Sequence, residues 1–183
     1  MHLFRLLTAP ARRAGLTSAG LHRTGSAIVL GLALSMAGGC SKPEAAPAVA
    51  YTRLDGSQSD LASLRGKVVL VNFWATSCTT CMHEMPQIIA THQKFKAQGF
   101  DTLAVAMSYD PPAYVSNYAQ SRQLPFQVAI DNTGVIAKQF GDIRLTPTTV
   151  LINKRGEIVK RYVGEPDFGA LHQLIGELLA QPA

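Results

Sequence analysis

The chain has 183 residues, 47% of them hydrophobic, with 17 basic against 12 acidic side chains; that is room for one domain with some chain to spare. Arg5, Arg12, Arg13 and Arg23 fall in the first 39 residues, which hold no acid, so the remainder stands at 13 − 12 = +1. No clustered basic field is left there, which excludes nucleic acid as an expected partner.

The basic opening leads into an apolar run from Ala27 to Ala37, AIVLGLALSMA. At 11 residues it is short of the roughly 20 that a bilayer-crossing helix needs, and residues 1–39 read as an export signal. The signal ends in MAGGC, with Cys40 followed by SKPEAAPAVA. Small residues up to a cysteine resemble a bacterial lipoprotein signal, although Ala37 stands where leucine is commonest. The resemblance implies that Cys40 becomes the new N-terminus, carries lipid and holds the protein at the periplasmic side of a membrane. The other reading is cleavage after Ser35-Met36-Ala37, which leaves Cys40 a free thiol. Residues 40–50, rich in proline and alanine, are expected to form a flexible linker, and residues 51–183 the folded domain.

Within the domain, Lys67–Phe73 (KVVLVNF) is a β-branched run without polar alternation, as in a strand buried on both faces. Residues 79–97 read as a helix closed by Gly99 and kinked at Pro86. Asp101–Ser108 is a second buried strand, Pro111 and Pro112 open a helix to about Arg122, and Phe126–Ile130 is a third strand. A short helix near Val135–Phe140 follows the turn DNTG. Thr148–Asn153 and Glu157–Val163 flank the turn KRGE as a hairpin, and Phe168–Leu179 is a last helix. This order predicts an α/β domain with a mixed central sheet and helices on both faces. Trp74 and Met107 are core by default.

Two of the three cysteines, Cys78 and Cys81, sit where the first strand gives way to the helix. Structural zinc commonly takes two such pairs, and there is one; no resident metal or cofactor is expected, though Cu(I) could visit two soft thiolates. Attachment of c-type haem needs histidine directly after the second cysteine, and Met82 separates Cys81 from His83. As a staple, a disulfide across two residues removes little chain entropy. Electron exchange suits the placement. A thiol at a helix N-terminus meets unpaired N–H groups and the positive end of the dipole, which favour the thiolate. Cys78 is then the attacking sulfur and Cys81 the resolving one. Glu84 follows Cys81 by three residues on the same helix face; it either manages the proton of the exchange or is a surface carboxylate near a helix start. His83 points elsewhere and reads as surface.

The stretch VNFWATSCTTCMHEMP resembles the active-site segment of the thioredoxin superfamily, in its TlpA/ResA branch of exported thiol–disulfide oxidoreductases. Asn72, Phe73, Trp74, Ala75, Thr76, Cys78, Cys81, Glu84 and Pro86 match the branch pattern, and LTPTTVLINKRGEIV matches its second landmark. The resemblance implies a thioredoxin fold with an extra helix and strand near 111–130, and a redox-active Cys78–Cys81 disulfide. It also implies a cis Pro147 that joins Cys78, Cys81 and Glu84 in the working site, and contact with substrate through Trp74, Thr146 and Pro147. Implied partners are disulfide-bearing periplasmic proteins, such as apocytochromes or copper-site assembly proteins, and a membrane thiol donor of electrons. Ser77 departs from the usual tryptophan before the first cysteine. Thr79-Thr80 between the cysteines supplies no cation for the thiolate, which points to a reductant. An oxidase or isomerase, or a Cu(I)-binding module built on the same pair, are the alternatives. A peroxidase is disfavoured, because Val71 and Ala75 do not fit the peroxiredoxin motif.

Overall fold

The computed structural model describes residues 43–183; the expected signal at 1–39 and Cys40 lie outside them. In chain order the strands are β1 (Glu44–Ala45), β2 (Ala50–Thr52), β3 (Gln58–Asp60), β4 (Val68–Trp74), β5 (Phe100–Ala106), β6 (Gln127–Ile130), β7 (Thr148–Ile152) and β8 (Glu157–Val163). The α-helices are α1 (Thr79–Phe95), α2 (Pro112–Ser121), α3 (Val135–Gln139) and α4 (Phe168–Ala180). Six strands form one mixed sheet in the order β1-β8-β7-β4-β5-β6, and β2 pairs with β3 as a separate ribbon. The strands β4, β5 and β6 run parallel, whereas β7 is antiparallel to both β4 and β8.

All seven residues of β4 are buried, because this strand lies at the centre of the sheet with both faces covered. The pleat sends alternate side chains to opposite faces. Val68, Leu70 and Trp74 meet Met85 and Ile88 of α1 and Leu171 and Ile175 of α4. Val69, Val71 and Phe73 meet Phe140, Ile136 and the 3-10 turn Leu61–Leu64. Burying each such side chain contributes about 1.5–3 kcal/mol. Asn72 falls in the same alternating set as Val68, Leu70 and Trp74, so the pleat turns a polar group towards α1. Helix α1 runs on through Pro86 to Phe95. A further 3-10 turn then ends at Gly99, whose φ of 92° is costly for any residue with a Cβ. No α-helix among the described residues is long and apolar enough to cross a membrane.

The expected flexible linker is corrected from Glu44 onward. Glu44 and Ala45 pair with Ile158 and Glu157 on the sheet edge, Arg161 bonds the Glu44 carboxylate at 2.6 Å, and Val49 is buried beside Tyr51. Proline and alanine carry no periodicity to betray this, and the strand of two residues is held by partners more than a hundred positions away. The ribbon β2–β3 gave no sequence signal for the same reason: three residues a side are too few for alternation to register.

Candidate active site

Strand β4 delivers the chain into a turn in which the Cys78 N–H donates to Ala75 O at 3.1 Å. That turn is anchored from β5. Met107 N–H donates to Trp74 O at 3.0 Å. The buried Asp110 carboxylate accepts the Thr76 N–H at 2.7 Å and the Thr76 hydroxyl at 2.5 Å. The result is a fixed platform from which α1 starts at Thr79, with Cys78 as its N-cap.

Cys78 and Cys81 are joined in a disulfide. Cys78 is half-buried and Cys81 fully buried. Cys78 Sγ accepts the Cys81 N–H at 3.1 Å, so one of the helix's spare donors already points at this sulfur. A thiolate there gains from that donor and from the dipole. The sulfur that solvent and a partner can reach is thus also the one best able to carry charge, and its mate lies one turn inside.

Glu84 is wholly buried, which removes the surface-carboxylate reading. Its Oε1 accepts from Asn72 Nδ2 at 2.8 Å, and the same nitrogen donates to Thr149 Oγ1 at 3.0 Å. Burial is the main reason that its carboxyl is raised to about 7; the Asn72 donor opposes the rise and the charge of Glu165 adds to it. A carboxyl half-protonated near neutral pH is suited to exchanging a proton. His83 is exposed, as expected, and bonds Glu165 at 2.9 Å.

The Thr146–Pro147 peptide is cis. Register places it: Thr148 faces Phe73 and Thr149 faces Asn72, so Pro147 reaches the level of Trp74, at the sheet edge from which α1 starts. Pro147 O accepts from Gly164 N–H at 2.8 Å. Thr146 is half-buried, and its hydroxyl lies 3.2 Å from Tyr109 Oη. The neighbouring Leu145 and Tyr109 are exposed. Trp74 needs a correction as a substrate contact. It is 0% exposed, packs on Tyr118 at 5.3 Å between ring centroids, and sits beneath the site as core. Sequence reasoning missed Asp110, Tyr109, Thr149 and Glu165, and met Asn72 only as a motif letter. A polar residue inside an otherwise apolar strand was the available signal for Asn72. Nothing in sequence announces Asp110, whose partner is 34 residues away.

Residues 42–175 match the family described as Redoxin. Among curated proteins, the chain is 38% identical over 120 residues to the thiol-disulfide oxidoreductase ResA of Bacillus thuringiensis subsp. konkukian (strain 97-27), covering 66% of this chain and 68% of that one. It is 32% identical over 127 residues to the ResA of Bacillus subtilis (strain 168), covering 69% and 70%. Among solved structures, a Neisseria meningitidis protein classed as a thioredoxin is 44% identical, with a TM-score of 0.69, over 75% of this chain and 91% of that one. A thiol:disulfide interchange protein of Chlorobium tepidum TLS is 26% identical, with a TM-score of 0.70, over 76% and 99%.

Proposed function

The chain belongs to the Redoxin family, among thiol–disulfide oxidoreductases of the ResA type, and from that premise we propose that it reduces disulfides in exported proteins while held by lipid on Cys40 at the periplasmic side of a membrane. The observation that carries the reading is the asymmetry of the pair: a reachable Cys78 sulfur that already accepts an amide hydrogen, and a buried Cys81 one turn behind.

In the reduced protein the Cys78 thiolate attacks a client disulfide. A Cys78–client disulfide forms, and the client's first sulfur leaves as a thiolate that takes up a proton. Cys81 then loses its proton and attacks Cys78 Sγ. The Cys78–Cys81 disulfide closes, the second client sulfur leaves, and two electrons have passed to the client. Glu84, one turn after Cys81, receives the Cys81 proton and returns it when the pair is next reduced. Thr146 and Pro147 hold the client's chain beside Cys78. Clients are apocytochromes awaiting haem or thiols of copper-site assembly proteins, and the electrons come from a membrane thiol donor.

The direction rests on the helix start. Thr79 and Thr80 bring no positive charge, and His83 is engaged with Glu165. A thiolate stabilised only by backbone donors leaves the disulfide favoured over the reduced pair. The test is the reduction potential of Cys78–Cys81 in the full chain. A value near the roughly −270 mV of thioredoxin supports a reductase, and one near about −120 mV makes the protein an oxidase.

A further inference from the structure

Asn72 is the polar member of a strand whose other six residues are apolar, and it is fully buried. Its amide nitrogen reaches two elements at once: Glu84 on α1 at 2.8 Å, and Thr149 on β7 at 3.0 Å. Thr149 is two residues beyond Pro147. One side chain therefore links the proton-carrying carboxyl to the strand that continues from the docking segment.

Two atoms at this junction are left over. Asn72 Oδ1 and Glu84 Oε2 are buried and have no hydrogen-bond partner. Buried polar atoms are seldom orphaned, and each asks for a reason. The contact itself, Nδ2 to Oε1, suits one of the two protonation states of Glu84, and the two unpartnered atoms leave the amide free of any bond that would hold it against turning. An ionised carboxylate only accepts, so the amide must present its NH2 group, as it does. A protonated carboxyl has an O–H to place and needs an acceptor. A half-turn about the Asn72 Cβ–Cγ bond exchanges Oδ1 and Nδ2 with almost no change of shape. Oδ1 would then accept from the Glu84 O–H and from the Thr149 hydroxyl. Threonine can serve both states, because its oxygen accepts in one and donates in the other. Without the turn, a buried O–H on Glu84 would face an N–H or nothing, which is costly.

We propose that Asn72 is a positioning residue for the Glu84 proton: its amide donates to the carboxylate, turns to accept from the protonated acid, and carries the Thr149 hydroxyl with it. The inference rests on the reading that Glu84 handles the proton of the exchange. Its consequence is that the docking strand senses, two residues from Pro147, whether that proton has been delivered. The neighbours that set the balance are few. Asn72 on β4 and Thr149 on β7 are neutral. Glu165, from the segment between β8 and α4, adds negative charge and is itself paired with His83. On α1, His83 is exposed and taken up by Glu165, and Cys81 is held in the disulfide in the oxidised protein.

The test uses the full chain in its oxidised form. The carbonyl infrared band of protonated Glu84, assigned by its absence in Glu84→Gln, is followed through pH in the wild type and in Asn72→Leu. The Asn72 side-chain amide resonances, assigned by their absence in Asn72→Leu, are followed in the wild type. The expected result is one midpoint shared by the carboxyl band and the amide resonances. In Asn72→Leu the midpoint rises by about one to two pH units, because the ionised form loses a charge-assisted donor. Amide resonances that stay fixed while Glu84 titrates overturn the proposal, as does a folded Asn72→Leu with an unmoved midpoint. If that variant does not fold, the wild-type amide resonances are assigned through their bonds to the Asn72 backbone and decide alone. A chain that passes this test yet reduces no disulfide leaves the amide switch standing and sinks the functional reading instead.

Discussion

Asp110 and Thr76, 34 residues apart, are joined twice, by the Thr76 N–H at 2.7 Å and by its hydroxyl at 2.5 Å. The carboxylate is 2% exposed, so both bonds are shielded from competing water. They fix the turn that presents Cys78. Asp110→Ala leaves two donors without partners and is expected to destabilise the protein by about 2–3 kcal/mol. Asp110→Asn, which keeps an acceptor, is expected to cost about half as much. Urea midpoints measure both, and a fall of less than about 0.5 kcal/mol for Asp110→Ala would show that the turn holds without its anchor.

The two sulfurs differ in exposure, and the difference predicts two different mutants. Cys81→Ser removes the resolving thiol, so Cys78 attacks a client disulfide and stays joined to it. Of the pair, Cys78→Ser leaves only the buried thiol and is expected to trap nothing through it. Non-reducing gels of each full-length variant mixed with a disulfide-containing protein distinguish them. A covalent adduct formed through Cys81 instead would reverse the assignment of roles.

The residues that were legible in the sequence are those whose signal is local. Val68–Trp74 could be read because seven consecutive buried side chains leave an apolar run broken only at Asn72. The Cys78–Cys81 pair could be read because its spacing is that of one helical turn at a strand–helix junction. Glu84 falls on the correct face by its spacing from Cys81, but its burial and its bond to Asn72 on β4 come from tertiary packing, which no spacing reveals. Trp74 divides two readings, core by default, which its burial bears out, and the substrate contact that the resemblance implies, which its burial contradicts. The motif suggested contact with substrate, whereas the pleat sends position 74 to the same covered face as Leu70. Asp110 and the early strand at Glu44–Ala45 act entirely through distant partners, and a short polar segment carries no trace of them.

Trp74 as core rather than contact surface has a measurable consequence. Trp74→Phe shrinks a packed side chain but also removes a buried indole N–H that has no partner, so the two effects partly offset. A net loss of about 1–2 kcal/mol in stability is expected. The KM for a disulfide client should not change, because the ring never meets the client. A KM raised several-fold with stability intact would return Trp74 to the substrate-binding surface.

The buried Glu84 makes stability depend on pH in an unusual direction. Its carboxyl is held at about 7 in the folded protein against 4.5 ordinarily, mainly by burial. Below the ordinary value both folded and unfolded chains hold the proton, and Glu84 costs nothing. As pH rises from there towards 7 the unfolded chain releases its proton first, so unfolding is progressively favoured. Above 7 both forms are ionised and the penalty is constant, on the order of 3 kcal/mol. Glu84→Gln removes the titration and keeps a side chain that can bond Asn72. Its urea midpoint should therefore exceed that of the wild type at pH about 8, and the gap should close by pH about 4. The same substitution should slow client reduction by about 10²-fold and flatten the rise or fall of rate around neutral pH. Equal midpoints for the two proteins at both pH values would mean that the folded protein leaves Glu84 with an ordinary carboxyl, and the proton-handling role would fall with it.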